Sequence, residues 1–168
     1  MSCHVTSMDK EQGIKMVAEI KFCLPVGKWW FLSPYAEFAI EMEVDGNFYT
    51  FASVEHYYQA MKFYASDERF QTILALKNPD EARLLTKMQA YKVNRRADFE
   101  ENKFTIMENG LRAKFAQNPA AAEMLKATGH AVLIKSCAVC YKCGFGAGSG
   151  QNRLGKMLMK IREELGAV

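Results

Sequence analysis

VDGNFYTFASVEHYYQAMKF, residues 44–63, changes its hydrophobic period half way along. Asp45-Gly46 is a hairpin-turn pair, and Phe48 to Phe51 behind it form the returning strand. Ahead of the turn Phe38, Ile40 and Met42 alternate with Glu37, Glu41 and Glu43, the period of two expected of a strand with one dry face. Ser53 then stands where a helix needs a cap, and Val54, Tyr57, Tyr58 and Met61 form an apolar stripe on a helix running to about Tyr64. A hairpin feeding directly into a helix sets the fold class.

Outward from this stretch the two periods separate along the chain. Ala18, Ile20, Phe22 and Leu24 alternate with Glu19, Lys21 and Cys23, predicting another half-buried strand. Downstream, a helix is expected over roughly Asp67 to Leu76, and Asn78-Pro79 and Asn118-Pro119 each supply a cap followed by proline at the first helical position. Asp98 and Glu101 have capping-box spacing for a helix carrying Phe99, Phe104, Met107, Leu111 and Phe115. Gly129 stops the next helix, Ala131 to Ile134 has the look of a short buried strand, and Asn152 caps a last helix that turns Leu154, Leu158, Ile161 and Leu165 inward. The expectation is α+β: a single domain, mostly helical with a small N-terminal antiparallel sheet, over residues 15–168, behind a flexible tail over residues 1–14.

The chain has 168 residues, enough for one domain with a real core; 49% are hydrophobic and 24% charged. A formal net charge of +3 is too small to argue for nucleic acid by itself. No apolar stretch approaches the ~18 residues of a membrane span, so no membrane partner is expected. The polar start MSCHVTSMDKEQG has no apolar centre of a signal peptide, and five cysteines cannot all pair internally. A reduced, cytoplasmic protein is expected.

Three constellations bear chemistry. Cys137, Cys140 and Cys143 have the spacing that opens a ferredoxin cluster motif, but no fourth cysteine follows. They are read first as small hydrophobes beside a buried strand, with no metal and no cofactor expected; an Fe–S or zinc site completed over long range by Cys3, Cys23 or His4 is the minority alternative. Gly144, Gly146, Gly148 and Gly150 form a loop between a strand and a helix start, a setting in which backbone N–H groups suit phosphate. On the helix after Ser53, Glu55, Gln59 and Lys62 share a second face: a carboxylate, an amide to hold it and a counter-charge. His56, a step round, fits a core histidine better than a base.

Five pieces in order resemble the NADAR (YbiA-like) family: FLSPY at 31–35, VDG…SVEHYYQAMKF at 44–63, MENGLRAKF at 107–115, LKATG…LIKS at 125–136, and G-x-G…G-x-N-x-LG…LM…R at 144–162. The resemblance covers about Ile20 to Leu165. It implies a YbiA-like fold and cleavage of the C–N bond between a ribose and a base. The family's substrates are phosphoribosyl-aminopyrimidine intermediates of riboflavin synthesis and ADP-ribose linked to guanine in nucleic acid. The implied partner is a phosphorylated ribosyl or ADP-ribosyl small molecule, or ADP-ribosylated nucleic acid.

Residue by residue, the resemblance implies Glu55 as the catalytic carboxylate with His56 and Gln59 alongside it. Lys62, Lys114, Gly144, Gly146, Gly150, Asn152 and Gly155 also match, and Phe99 stands where the family has tryptophan. Ligand-binding roles follow for these except Gly155, and for Lys135, Cys140 and Cys143, which occupy positions of a glutamate, an aspartate and a tryptophan. Pro34 replaces an asparagine. The lysine reverses a charge, favouring a phosphate and disfavouring a developing cation. Two readings follow: an N-glycosidase with a changed site, or an inactive module that binds ADP-ribose-like or nucleotide ligands as a sensor or sink.

Overall fold

A computed structural model describes residues 18–136, 144 and 150–166. The tail expected over 1–14, together with Cys137, Cys140, Cys143, Gly146 and Gly148, lies outside them. Strand β1 (Glu19–Phe22) is followed by a 3-10 turn at Trp30–Leu32 and the hairpin β2 (Ile40–Val44) and β3 (Asn47–Phe51). Helices α1 (Val54–Ala60), α2 (Glu68–Ala75), α3 (Pro79–Leu85), α4 (Gln89–Lys92), α5 (Phe99–Gln117) and α6 (Pro119–Lys126) come next. Strand β4 (Val132–Lys135) and α7 (Arg153–Glu164) complete the order.

The hairpin is the antiparallel sheet read from the sequence, registered Ile40 to Phe51 and Val44 to Asn47. Its turn puts Asp45 at φ 51° and Gly46 at φ 78°, the left-handed pair that a tight hairpin requires. Strand β1 belongs elsewhere: it pairs in parallel with β4, Ile20 against Leu133. Two separate two-stranded sheets result. Helix α1 is shorter than its stripe suggested, ending at Ala60 with Met61 as its last cap.

Helix α5 runs through the centre, contacting α1, β2, α6 and α7. Phe51, Phe63, Phe70, Leu111, Phe115 and Leu158 are almost wholly buried around it. At full burial each such side chain contributes about 1.5–3 kcal/mol. Gly110 lets α1 settle on α5, because a Cβ there would lie 2.9 Å from Tyr57 Cδ1 and Val54 Cγ1.

Three polar residues behave differently from their sequence reading. Asp98 makes no side-chain cap to α5; its carboxylate takes two bonds of 2.6 Å from Arg96. Asn118 does not cap α6 through its side chain but donates to the Ala39 and Lys114 carbonyls. Asn152 precedes α7 with φ 48°, and its side chain leaves the helix start uncapped. Its amide instead donates to Leu133 O at 2.8 Å and accepts from Lys135 N at 3.0 Å, fastening the end of β4 to the root of α7.

That pair of hydrogen bonds leads to a prediction. Asn152→Gly keeps the left-handed backbone and loses both bonds, a cost of roughly 2 kcal/mol. Asn152→Ala loses the same bonds and adds about 1 kcal/mol of left-handed strain. Urea denaturation of the two variants should place them in that order.

Candidate functional site

The site begins at Ser53. Its Oγ accepts from His56 N at 3.3 Å and lies 2.9 Å from His56 Nδ1, which fixes the first turn of α1. Burial holds the His56 pKa below its ordinary value, so the ring is neutral at pH 7 and acts as part of the core. Glu55 follows, 5% exposed, its N–H donating to Pro34 O at 3.0 Å. Lys114, fully buried on α5, donates to Phe31 O at 2.5 Å and Ser33 O at 3.0 Å. The two contacts clamp the segment 31–35 over α1, and that segment delivers Tyr35.

Glu55 is held by its neighbours rather than by a cation. Gln59 Nε2 donates to Glu55 Oε1 at 2.6 Å, and the Tyr35 hydroxyl hydrogen-bonds the same carboxylate. Gln59 cannot rotate away, because its own Oε1 accepts from Thr86 Oγ1 at 2.6 Å and from Lys62 Nζ. Lys62 also donates to Thr86 Oγ1 at 3.1 Å. Burial raises the Glu55 pKa; the Gln59 bond, the charges of Lys62 and Lys135 and the Tyr35 bond oppose that rise. Burial, then the charge of Arg95, lowers Lys62 to about 8, and burial with the Glu55 charge pushes Tyr35 up, keeping its hydroxyl a donor.

Glu55 opens onto a cavity of about 450 Å³. Among the described residues its wall brings together Arg83 on α3, Lys87 just past it, Lys103 on α5, Lys135 at the end of β4 and Arg153 at the start of α7. These five cations face two carboxylates, Glu55 and Asp80. Tyr58, Phe104, Met107 and Met157 supply apolar wall, and Arg153 lies 4.3 Å from the Phe104 ring centroid.

Of the residues expected from sequence, Glu55 and Lys135 reach the cavity. Gln59 and Lys62 stand behind Glu55 as its support. Phe99 is buried against Tyr58, ring centroids 5.4 Å apart, with the Lys62 ammonium 5.7 Å from each ring; it backs the wall without lining it. Lys114 and Asn152 serve the frame, on main-chain partners. Gly144 accepts from Asn152 N through its carbonyl at 3.0 Å, and Gly150 is half-buried before α7. Gly146, Cys140 and Cys143 lie outside the described residues. Tyr35, Arg83, Lys87, Lys103 and Arg153 were missed. Tyr35 was visible only as part of FLSPY, and each cation taken alone fits a solvated helix face.

Lys114 carries a pH signature. Burial lowers its pKa to about 7, against 10.5 for an exposed lysine. Between those values the unfolded chain binds the extra proton, so stability rises with pH across this window, by on the order of 5 kcal/mol at most. Below about pH 7 both states are protonated and the slope vanishes. Lys114→Met should flatten the rise in urea titrations, leaving the smaller one from Lys62 above about pH 8.

A buried carboxylate, cations round the wall and an apolar flank give the cavity the means to hold an anionic group and to set a carboxylate against a bound molecule. The profile of the NADAR domain family matches residues 25–166, and the chain belongs to that family. The N-glycosidase YbiA of Shigella flexneri is 36% identical over 126 residues, covering 74% of this chain and 75% of its own. The chloroplastic riboflavin biosynthesis protein PYRR of maize (Zea mays) is 32% identical over 142 residues, 79% of this chain; the match spans 23% of that longer protein. The NMR structure of E. coli YbiA superposes with a TM-score of 0.75 at 30% identity, covering 94% of this chain and 90% of that one. The YbiA-like fold and the N-glycosidase-like family are thereby shown. No helix among the described residues is long and apolar enough to cross a membrane.

Proposed function

We propose that the protein hydrolyses the C–N bond between a ribose, phosphoribosyl or ADP-ribosyl, and a base, in a reduced, cytoplasmic setting. The observation that carries this is Glu55: a buried carboxylate, fixed by Gln59 and Tyr35, opening onto a cavity with five cations in its wall. The cations suit the phosphate and the carboxylate suits the sugar. As the bond to nitrogen lengthens, positive charge spreads over the anomeric carbon and ring oxygen, and a fixed anion beside it lowers the barrier. Water adds its oxygen to the anomeric carbon, the C–N electron pair leaves with the base, and Glu55 relays the water proton to the departing nitrogen. A raised carboxylate pKa makes Glu55 a stronger base than an exposed glutamate.

Lys135 supports a second reading. It brings a positive charge to the same cavity and acts electrostatically on Glu55, which opposes an adjacent sugar cation and favours a bound phosphate. In that reading the chain binds nucleotide or ADP-ribose-like ligands without cutting them. Incubation with a phosphoribosyl-aminopyrimidine and with an oligonucleotide carrying ADP-ribosyl-guanine, followed by mass spectrometry, separates the two. Released base and sugar, absent in Glu55→Gln, support the glycosidase; intact ligand retained without product supports the binder.

A further inference from the structure

Thr86 closes α3 and belongs to none of the sequence motifs, yet it is fully buried. It does not line the cavity, although Arg83 and Lys87 on either side of it do. Its main chain is held at both ends: the N–H donates to Ala82 O at 3.2 Å, and the carbonyl accepts from Arg95 Nη2 at 2.8 Å. A buried hydroxyl needs partners of its own. The Thr86 proton has two acceptors in reach, Gln59 Oε1 at 2.6 Å and Arg83 O at 3.2 Å, and the nearer takes it. The oxygen accepts in turn from Lys62 Nζ at 3.1 Å.

The Gln59 amide has two orientations of nearly equal shape and opposite hydrogen-bonding sense. In one, Nε2 donates to Glu55 Oε1 at 2.6 Å while Oε1 receives Lys62 and Thr86. In the other, Oε1 would meet the carboxylate and the amide NH2 would meet the Lys62 ammonium, acceptor on acceptor and donor on donor. Lys62 enforces the first orientation only while it is charged. Burial lowers its pKa to about 8, and a neutral amine accepts as well as donates. The Thr86 hydroxyl keeps its proton throughout that range, and its donation to Oε1 leaves Nε2 for Glu55.

We propose that Thr86 is a positioning residue for Glu55: its hydroxyl fixes which end of the Gln59 amide faces the carboxylate, and it ties that amide to the helix that carries Arg83. Thr86 acts through Gln59 and touches no bound molecule. The consequence for turnover rests on the reading of Glu55 as the reacting carboxylate. The consequence for Glu55 itself, an anion favoured by an oriented donor, stands without that reading.

The first measurement needs no substrate. In the full chain labelled with ¹³Cδ-glutamate, the Glu55 carboxyl resonance, assigned by its loss in Glu55→Gln, is titrated by NMR. Thr86→Val keeps the shape and removes the hydroxyl; Thr86→Ser keeps the hydroxyl and removes the methyl. The Gln59 bond and the Lys62 charge both lower the Glu55 pKa, so loosening the amide and taking an acceptor from the ammonium raise it. The midpoint should rise by about half a unit or more in Thr86→Val and return to wild type in Thr86→Ser. Tyr35, Lys62 and Lys135 act on the carboxylate, and Arg95, Lys87 and Glu100 act on Lys62; both variants retain all six. Thr86→Ala repeats the titration should Thr86→Val not fold. In turnover, Thr86→Val should lower kcat about ten-fold with KM within about two-fold, and in a Gln59→Ala background it should cost less than about two-fold. A midpoint unmoved in the hydroxyl-free variants, an equal shift in Thr86→Ser, or a kcat loss that persists without Gln59 would overturn the positioning role. A shifted midpoint in a protein that turns over no N-ribosyl substrate would keep that role and remove only the glycosidase reading.

Discussion

Replacing Glu55 by glutamine is expected to lower turnover by about a thousand-fold or more while making the protein more stable at neutral pH. The shape is nearly unchanged, so Gln59 and Tyr35 keep a partner at position 55. On the proposed mechanism, what disappears is the negative charge beside the anomeric carbon and the base that takes the water proton. The stability half follows from linkage. Glu55 has a folded pKa raised above its unfolded value, so its stabilising contribution belongs to acid pH and fades as pH climbs through the folded pKa. Above the unfolded-state pKa, folding must either bury the charge or take up a proton, and a neutral amide requires neither. Steady-state rates and urea midpoints on the same preparation check both halves; a variant that lost activity together with stability would point to a structural role instead. The wild-type rate should also fall in acid at a pH above the ordinary glutamate range, as Glu55 takes up its proton.

Gly155→Ala is expected to cost about 3 kcal/mol or more, the largest stability loss of any single methyl added to the described glycines. A Cβ at Gly155 would lie 2.1 Å from Leu133 O and 2.6 Å from both ends of the Asn152 amide. A carbonyl in a sheet and an amide bonded at both ends have no room to yield, so α7 must move off β4. Lys135 and Arg153 flank that joint and line the cavity, so activity should fall too. Gly110→Ala is the comparison: its Cβ meets side-chain atoms of Tyr57 and Val54 at 2.9 Å, and side chains can rotate. Urea midpoints should place it well above Gly155→Ala.

The sequence was most informative where one local rule decides the structure. Asp45-Gly46, the Ser53 cap and the prolines at 79 and 119 each set a boundary through their own backbone or side chain, and each stands where it was read. Long-range pairing was less accessible. Alternation marks β1 as a strand, but nothing in Glu19 to Phe22 names β4, more than a hundred residues on, as its partner. Side-chain destinations were also hidden. Asn152 has the right identity for a cap, but its amide is taken up by Leu133 O and Lys135 N and makes no cap bond to α7. Lys114 matched a family position and was read as a ligand group, yet its partners are the carbonyls that seat Tyr35.

The candidate site shows the same division. Glu55, Gln59 and Lys62 fall on one helical face by spacing alone, and the structure joins them in a chain of hydrogen bonds. The cationic wall has no such spacing. Arg83, Lys103, Lys135 and Arg153 come from four elements, and only the packing of α3, α5, β4 and α7 gathers them.

The account turns on one bond, and ¹³C NMR can watch it. An N-ribosyl substrate labelled at the anomeric carbon, mixed with excess protein, should lose its nitrogen-bonded signal and gain an oxygen-bonded one as free base forms in equal amount. Glu55→Gln should leave the nitrogen-bonded signal in place. An anomeric signal that stays nitrogen-bonded in the wild-type mixture, or that moves equally fast with Glu55→Gln, would contradict the assignment of Glu55 as the carboxylate that opens a ribosyl C–N bond.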